Sequence, residues 1–426
     1  MSLPTSVDVA IVGAGTSGAA AARYFAEQGA RVVCVDRRPL AEAGARWVNG
    51  ITRTAMAEAG IELPASAGFG EPHPFHLVSD AGRVVVRDHD VIDVDMRALV
   101  ALLQRQAQEA GAVMQGETSV LGRDRDVLIT DQGRVRARWI IDASGLAGAR
   151  LLDQSAVGTA HLCAAAQAVF EVKDNEAARA WFAAADIPPG EVYARLGVAG
   201  GFSVLNVRLH DGGHTVGVLT GSIPSLGFPS GKAILDRFVR EHAWVGARVF
   251  GGQGAIPLRR PYDRLARDNV ALLGDAACQV FPAHGSGIGA GIVAARMLAS
   301  TLGAGGTLRD YEVAWHRRWG GLFAAYDAFR RWNQTMDPVQ LGELMAGGVL
   351  DPSFARAGMD QTMPRLSLGA LPPKARALSK QPGLVPGLAR VMAQVGAAHL
   401  LSAVYPRSEN RRFSAWQLGM ARVLAV

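Results

Sequence analysis

A glycine-rich segment between two apolar runs is the feature that most constrains the fold. Residues 7–12 form a short run rich in β-branched side chains, and Gly-Ala-Gly-Thr-Ser-Gly follows at 13–18. A stretch of small residues at 19–28 comes next, and then a second apolar run at 31–35 that ends at Asp36. This order of strand, glycine loop, helix, strand and acidic residue predicts a βαβ unit, whose two strands are parallel.

The glycine spacing indicates a site for a dinucleotide pyrophosphate. The first glycine permits a tight turn, the second lets the backbone approach the phosphates, and the third permits close helix–strand packing. The helix start adds free N–H groups and positive potential, and an acid after the second strand can bind ribose hydroxyls. A purely structural turn is the alternative that this context disfavours. We expect cofactor contacts from Gly13, Ala14, Gly15, Thr16, Ser17, Gly18, Asp36 and Arg37.

Two further apolar runs, at 139–142 and 270–274, are predicted to join the same sheet. Helices are predicted at 99–110, from the spacing of apolar residues, and at 287–301, after a glycine-rich turn. Between these pieces, residues 75–88 and 202–219 each carry a turn signal in the middle of an apolar run. Such runs predict antiparallel hairpins, so a second, antiparallel sheet is expected to be interleaved with the first.

The segment at 270–295 is a second candidate anchor for a long dinucleotide. Gly274 and Asp275 end a predicted strand, and Gly285 and Gly287 open a helix after Pro282. An acidic side chain here can bind a ribityl hydroxyl, and a glycine-rich helix start can stabilise negative charge on a reduced flavin ring. These features favour FAD over NAD.

At this point the sequence resembles a known family. The segments GAGTSG at 13–18, IIDASGLAGA at 140–149 and GDAACQVFPAHGSGIGAG at 274–291 are similar to the three signatures of FAD-dependent oxidoreductases of the para-hydroxybenzoate hydroxylase superfamily. Within that superfamily, the three segments are most similar to those of the geranylgeranyl reductase, flavin-dependent halogenase and lycopene cyclase branches. The resemblance implies an α/β (overall α+β) fold, in which a Rossmann-type FAD domain is interleaved with an antiparallel substrate domain.

The resemblance also implies a set of FAD-binding residues and a domain division. Beyond the first loop, the expected contacts are Arg46, Arg97, Gly145, Gly274, Asp275, Pro282, Gly285, Gly287 and Ile288. The chain departs from the family at Met96, where an Arg is common, and at Ser144, where hydroxylases usually have Asp. Arg97 replaces that Arg by a one-residue shift or lies on the surface. The FAD domain is expected at 1–70, 95–158 and 264–306, the substrate domain at 71–94 and 159–263, and a helical, basic C-terminal region at 307–426.

Several reactions remain open within this family. Reduction and monooxygenation are the leading alternatives, and a non-redox cyclase or isomerase is the next. Halogenases of this group carry a Lys near the flavin and a W-x-W-x-I-P motif. Halogenation is disfavoured here, because none of the four Lys lies in the first FAD segment and the eight Trp include no W-x-W pair. No second strand–GxGxxG–helix unit is present, so NAD(P)H would bind transiently as electron donor, or a protein would supply the electrons.

Two residues are candidates for catalysis. His284 lies in the predicted flavin-side turn, where an imidazole can move a proton, although supporting the turn backbone is the alternative. Cys278 follows Asp275 closely and is a candidate redox thiol, although a buried free Cys is usually a core residue. His and Cys show no ligand spacing, so no metal site is predicted. The segments 161–170 and 200–207 carry few charges, which favours an apolar small-molecule substrate.

The basic charge lies mostly at the C-terminal end. The formal charge is +6, and residues 356–426 hold ten Lys/Arg against two acids, a local excess of +8. We therefore expect no nucleic-acid partner, and predict peripheral contact of this region with a membrane or a redox protein. An apolar stripe at residues 388–395 is either a packing face or part of that contact. Three Cys, no signal-peptide pattern and no uncharged apolar run of spanning length predict a cytoplasmic protein.

Overall fold

A computed structural model describes residues 3–62, 70–365, 374, 376 and 378–424. The strands are β1 (Ser6–Val12), β2 (Val32–Val35), β3 (Val48–Thr52), β4 (Phe75–Val78), β5 (Arg83–Val86), β6 (Val91–Asp95), β7 (Val113–Gln115), β8 (Val120–Asp124), β9 (Val127–Thr130), β10 (Gly133–Asp142), β11 (Leu162–Val172), β12 (Val192–Leu196), β13 (Ser203–His210), β14 (Thr215–Ser222), β15 (Val245–Pro257), β16 (Ala266–Arg267) and β17 (Val270–Leu272). The helices are α1 (Thr16–Glu27), α2 (Arg53–Ala59), α3 (Met96–Glu109), α4 (Asn175–Ala184), α5 (Gly231–Glu241), α6 (Ile288–Gly303), α7 (Leu308–Trp315), α8 (Gly321–Asn333), α9 (Pro338–Ala346), α10 (Pro352–Met359), α11 (Val385–Ala403) and α12 (Arg411–Val423).

The first sheet has the order β16-β17-β10-β1-β2-β7, with β8 and β9 attached beside β10. The pairs β1–β2, β1–β10, β10–β17 and β2–β7 are parallel, as predicted from the βαβ pattern. All four residues of β2 are buried, as expected for a strand that is covered on both faces. Strand β10 begins at Gly133, earlier than the predicted 139, because its first half pairs with β9.

Helix α1 closes the predicted βαβ unit and contacts both α3 and α6. Its alanines at 19–22 are fully buried, and such small side chains allow close approach to its neighbours. A Cβ at Gly18 would overlap the carbonyl oxygen of Gly13, so only glycine fits this contact. The third glycine of the loop therefore has the packing role that its spacing predicts.

The second sheet has the order β15-β11-β14-β13-β12-β4-β5. The two predicted hairpins are present as β4–β5 and β13–β14, both antiparallel. Buried and half-buried residues alternate along β13, so that one face packs on a core and the other faces a cavity. The mixture of parallel and antiparallel sheets confirms the predicted fold class. The residue boundaries of the three predicted regions stay predictions.

A two-stranded ribbon of β3 and β6 connects the two sheets. Strand β3 follows the first βαβ unit in the chain, and β6 leads directly into α3. The N–H of Met96 donates to the carbonyl of Trp47 at 3.0 Å, which extends the ribbon by one bond. This ribbon was not predicted from the sequence, and it brings Asn49, Gly50 and Thr52 to the cavity described below.

Helices α7 to α12 form the C-terminal region, as predicted. Helix α11 packs on α8, and Val391, Val395 and Ala398 are the buried part of its apolar stripe. Over Pro382–Ala403 the helix is long and apolar enough to cross a membrane by length and composition, with mean hydropathy 1.3 and 22% of its apolar window buried. Arg390 interrupts this stretch, so it is not an uncharged apolar run of the kind considered above, and the absence of a spanning segment stays an expectation.

Candidate active site

The first glycine loop turns sharply between β1 and α1. Gly13 has φ +100°, a conformation that favours glycine, and a Cβ there would overlap the carbonyl of Ala143 at the end of β10. Asp36 is buried at the end of β2, and its carboxylate accepts the N–H groups of Ala14 and Arg38, each at 2.9 Å. The structure therefore places the loop and the acidic residue in direct contact.

The N-terminus of α1 is open for an anion. The helix begins at Thr16, and its N-cap residue Gly15 supplies no side-chain cap, so the N–H groups of the first turn are left for a ligand. Ser17 lies between this turn and the third signature. A Cβ at Gly274 would come within 2.6 Å of the Ser17 hydroxyl oxygen, and one at Gly291 would overlap it. The segments 13–18 and 274–291 therefore meet, as the resemblance implies.

The third signature joins a carboxylate to a second open helix start. Helix α6 begins at Ile288, and its N-cap residue Gly287 also supplies no side-chain cap. A Cβ at Gly287 would lie 3.2 Å from Oδ1 of Asp275 and 2.8 Å from Val280. Burial raises the pKa of Asp275 to about 6. The residue retains a partly exposed surface, so its carboxylate is available to a ligand at the helix start.

The middle signature is held together by its own polar side chains. Asp142 is fully buried; its carboxylate accepts the hydroxyl of Ser144 and, at 3.0 Å, the N–H of Leu151. Ser144 in turn accepts the N–H of Ala149 at 2.8 Å. Gly145 has φ +83°, and a Cβ there would meet no atom within 4 Å, so this glycine borders open space. Ser144, the departure from the hydroxylase pattern, therefore acts in the loop's internal structure.

The three predicted basic contacts all lie on the surface. Arg46 donates to the carbonyl of Ala41 at 3.3 Å. Arg97 pairs with Asp95 at 2.7 Å, and its guanidinium lies 4.3 Å from the ring centroid of Phe250. Arg37 is exposed beyond the buried Asp36. The structure brings none of the three into the loop contacts described above, and their cofactor roles stay predictions.

His284 faces the cavity from the turn before α6. Pro282 is buried, and Gly285 has φ +77°, which favours glycine. The His284 Nδ1 accepts the N–H of Ser286 at 3.3 Å, so the ring supports the turn backbone. Enclosure between the cavity walls lowers the pKa of His284, against a smaller opposing effect of the Gly358 carbonyl, and the open cavity leaves the residue accessible to water. The imidazole is therefore neutral at pH 7, and its role in catalysis stays a prediction.

Cys278 is placed differently from the expectation of a redox thiol. It is fully buried with φ +55°, and it does not line the cavity. Burial raises its pKa to about 12, which disfavours the thiolate that such chemistry needs. The geometry corresponds to the alternative, a core residue. The thiol that does reach the cavity is Cys163, whose pKa burial also raises to about 12.

A cavity of about 340 Å³ adjoins the turn at His284. Its walls come from the β3–β6 ribbon, the half-buried face of the second sheet and the C-terminal helices, and no Asp, Glu, Lys or Arg is among the described lining residues. The predicted segments 161–170 and 200–207 both contribute to it. A second cavity of about 180 Å³ lies among α8, α9 and α10, and the two share Leu77, Leu196, Ala283, Asn333 and Leu341.

The residues of this site fit FAD. Two helix starts lack side-chain caps, which suits the negatively charged pyrophosphate at α1 and electron-rich ring atoms at α6. A buried carboxylate, Asp36, stands at the ribose position after β2, and Asp275 stands beside the second helix start. The substitution-intolerant contacts at Gly13 and Gly18 keep the first loop close to the sheet.

Comparisons with known proteins agree with this assignment. The model of the family described as FAD dependent oxidoreductase matches residues 8–66. Digeranylgeranylglycerophospholipid reductase 2 of Methanopyrus kandleri is 26% identical over 356 residues, which cover 74% of this chain and 84% of that protein. The corresponding reductase of Methanothrix thermoacetophila is 26% identical over 337 residues, covering 73% and 82%.

Solved structures share the fold. A geranylgeranyl bacteriochlorophyll reductase-like protein of Thermoplasma acidophilum superimposes with a TM-score of 0.70 at 19% identity, covering 91% of this chain and 99% of that one. The flavin-dependent brominase Bmp2 gives a TM-score of 0.64 at 15% identity, covering 88% and 99%. The solved structures show the shared fold, and the family match and the curated relatives indicate that this chain is an FAD-dependent oxidoreductase.

Proposed function

We propose that this enzyme reduces a carbon–carbon double bond in an apolar, isoprenoid-type compound. The observation that carries the proposal is the uncharged cavity that ends at the His284–Gly285 turn. An apolar lining favours a hydrocarbon chain over a sugar or a nucleotide. The curated relatives are named as reductases of a geranylgeranyl-bearing lipid, which supports this class of substrate. The specific substrate is part of the proposal.

The chain's own residues would bind the cofactor and exclude water. The first-turn N–H groups of α1 would bind the pyrophosphate, Asp36 the adenosine ribose, and Asp275 a ribityl hydroxyl. The start of α6 would stabilise electron-rich atoms of the ring. When bound and reduced, FAD supplies a hydride, which carries both electrons, to one carbon of the double bond, and solvent or a side chain supplies the proton to the other. The apolar walls of the cavity would keep water away from the reacting carbon atoms.

The electron donor is a separate part of the proposal. The described residues hold one strand–GxGxxG–helix unit, that of β1 and α1, and in this proposal it binds FAD. NADH or NADPH would therefore bind transiently near the flavin, as a substrate that leaves after each reduction. A protein electron donor is the alternative. In that case, NAD(P)H added without the donor protein would not reduce the flavin.

The proposed reaction can be tested on the FAD-loaded enzyme. The enzyme is reduced without oxygen by NADH, by NADPH or by dithionite, and geranylgeraniol is then added while the flavin spectrum is followed. We expect reoxidation that depends on the alkene and a product heavier by two hydrogens. A product that gains an oxygen atom only in air would instead indicate monooxygenation. A product of unchanged mass would indicate a cyclase or isomerase.

We also propose that the C-terminal region contacts an anionic membrane surface. Leu400 of α11 and Val404, directly after that helix, are 74% and 64% exposed, and Leu418 of α12 is 53% exposed. Arg407 and Arg412 line the same shallow groove as Val404. Apolar side chains beside cations are the combination that an anionic bilayer interface binds. An acidic redox protein would need the arginines but would gain less from the leucines.

Vesicle binding separates these two partners. Vesicles containing phosphatidylglycerol should bind the enzyme more tightly at low than at high salt, and Leu400→Ser with Val404→Ser should reduce binding at least tenfold. Val249→Ser is the matched control, since Val249 is 55% exposed on β15. Equal binding by the double variant and the wild type, or no binding to anionic vesicles, would contradict membrane contact.

A further inference from the structure

One row of residues across the second sheet forms the floor of the cavity. The register pairs these residues from strand to strand, and all of them line the cavity: Gly252, Gln167, Leu219, Asn206, Ala194 and Leu77. Partners in register point to the same face of a sheet. Four of the six are apolar or glycine, so two carboxamides interrupt an otherwise apolar floor.

The two carboxamides are without hydrogen-bond partners. The side-chain oxygens of Gln167 and Asn206 are enclosed and unpaired, and neither side chain makes a hydrogen bond within the described part of the chain. Both residues pair in register with Leu219, one on each side, which places their Cα atoms roughly 10 Å apart. As placed, the two oxygens have almost no accessible surface, so a ligand meets them once each carboxamide turns its end towards the cavity that its residue lines. An enclosed polar group without a partner is costly, so a group that completes these bonds is expected in the cavity.

We propose that Gln167 and Asn206 bind an uncharged oxygen-bearing group of the substrate, a hydroxyl or a carbonyl. A carboxamide can donate from its nitrogen and accept at its oxygen, and the orientation of its end is free to suit the ligand. A hydroxyl can meet both roles, and a carbonyl can accept from the two nitrogens. This inference deepens the proposed function and rests on it, because it assumes that the substrate occupies this cavity.

The lining excludes a charged group at the same place. No described residue of the cavity wall is Asp, Glu, Lys or Arg, so a phosphate or carboxylate here would be buried without a counter-charge. On β15 the row is represented by Gly252, four residues before Ile256, and Ile256 packs near the Gly285 turn. The oxygen-bearing group would therefore lie roughly 13 Å from the flavin-facing end. A phosphate of the substrate, where there is one, would have to remain outside the cavity.

Two ordered waters could also bind the carboxamides of Gln167 and Asn206. This explanation and the proposed substrate contact differ in their consequences. Waters would stabilise the carboxamides equally in the presence of any apolar ligand. A substrate hydroxyl would instead make affinity depend on the ligand's own oxygen. The comparison of a ligand with and without that oxygen therefore distinguishes them.

The test uses the FAD-loaded enzyme and three probes: farnesol, the same hydrocarbon with hydrogen in place of the hydroxyl, and farnesyl monophosphate. Binding is followed by the change in flavin absorbance and by calorimetry. We expect the wild type to bind farnesol about tenfold tighter than the hydrocarbon, the effect of one well-formed hydrogen bond. In the near-isosteric double variant Gln167→Met/Asn206→Leu this preference should disappear, with hydrocarbon affinity equal to or above that of the wild type and FAD binding unchanged.

The variant is expected to fold, since replacing an unpaired polar side chain by an apolar one of similar shape is neutral or stabilising. Its melting temperature should equal or exceed that of the wild type. Equal affinity of the wild type for farnesol and the hydrocarbon, or a preference that persists in the variant, would overturn the inference while leaving the proposed function intact. Tighter binding of farnesyl monophosphate than of farnesol, lost in the double variant, would also overturn the inference. Failure of all three probes to bind would contradict both.

Discussion

The carboxylate of Asp36 accepts the backbone N–H of Ala14 at 2.9 Å, across the turn between β1 and α1. The same carboxylate accepts the N–H of Arg38 at 2.9 Å, so it also shapes the chain after β2. Asp36 is buried, and bonds from backbone N–H groups to a carboxylate are stronger than those between neutral groups. One side chain therefore sets the shape of the glycine loop and stands at the ribose position.

The first prediction follows from this double role. Asp36→Asn keeps the shape of the side chain but removes its charge, which weakens the bond from Ala14 and any bond to a ribose. We expect FAD affinity to fall about 10- to 100-fold, measured by titrating the apoprotein with FAD. Asp124→Asn is the control, because Asp124 is exposed on β8 and lies 3.8 Å from Arg134. Equal FAD affinity in the two variants would contradict the assignment of Asp36.

The second prediction concerns the packing of the glycine loop. Gly18→Ala would place a Cβ against the carbonyl oxygen of Gly13, which is backbone and cannot rotate away. We expect a loss of about 1–3 kcal/mol or more in the free energy of unfolding, together with loss of FAD binding. Gly396→Ala on α11 is the control, since nothing lies within 4 Å of a Cβ there. That control should be neutral or stabilising by about 0.5–1 kcal/mol in urea denaturation.

The parts of the fold that could be predicted were those encoded by short stretches of sequence, namely the βαβ unit and the two hairpins. The βαβ unit follows from residues 7–36 alone, and the contact of Gly13 with Ala143 follows because the carboxyl ends of parallel strands meet at one edge. The hairpin signals at 80–82 and 211–213 were likewise local, and both turns are present.

The cavity walls were less predictable because they depend on packing between distant segments. Leu341 and Met359 reach the cavity from α9 and α10, and no periodicity in those short helices distinguishes a cavity wall from a core. Trp47 lies over Gly252 and Gly254 through the unpredicted β3–β6 ribbon. The available signals were the low charge of the predicted lining segments 161–170 and 200–207 and, within them, the polar residues Gln167 and Asn206. Cys278 lies outside the cavity wall although it is close in sequence to Asp275, because proximity in sequence does not fix where a side chain points.

The third prediction uses the pKa of Asp275, which burial raises to about 6. The folded apoprotein then binds more protons than the unfolded chain, whose Asp pKa is near 3.9. Its stability therefore falls as pH rises from about 4 through about 6. Asp275→Asn stays neutral, so we expect the variant apoprotein to be more stable than the wild type at pH 7.5, by about 1–3 kcal/mol, and equal to it below about pH 4.

The same variant should bind FAD more weakly, because the carboxylate beside the start of α6 is lost. Thermal melting of the apoprotein between pH 4 and pH 8 and FAD titration give the two measurements, with Asp124→Asn as the control. A variant that is less stable at pH 7.5 would contradict the effect of burial on Asp275. Unchanged FAD affinity would contradict its place in the cofactor site.

The fourth prediction concerns a buried ion network in α8. Asp327 is fully buried and accepts from Arg330 at 2.9 Å and from Arg331 at 2.8 Å. Burial alone raises the pKa of Asp327, but the two guanidinium groups outweigh this effect and hold it at about 2. Asp327→Asn leaves the buried Arg330 without its counter-charge, and we expect a loss of about 3–5 kcal/mol in denaturant unfolding. Asp236→Asn breaks only the exposed pair with Lys232 and should cost less than about 1 kcal/mol.

The fifth prediction decides the role of His284. Asn at this position can place an oxygen where Nδ1 accepts the N–H of Ser286, so His284→Asn keeps the turn but removes the titrating ring. Because enclosure in the cavity lowers the pKa of His284, the folded wild type binds fewer protons than the unfolded chain between that lowered pKa and the ordinary His value of about 6.5. The wild type therefore loses stability as pH falls through that window, and the variant loses less.

Turnover distinguishes the two roles that the sequence left open. If His284 only supports the turn, His284→Asn should keep FAD affinity and reduce turnover at pH 7 by less than about tenfold, since a neutral ring is replaced by a neutral amide. If the ring carries the proton that the double bond receives, turnover should fall by about 10²- to 10⁴-fold at unchanged FAD affinity. The bond from Ser286 and the neutral ring at pH 7 lead us to expect the smaller effect. A loss in the larger range would therefore return His284 to the catalytic residues.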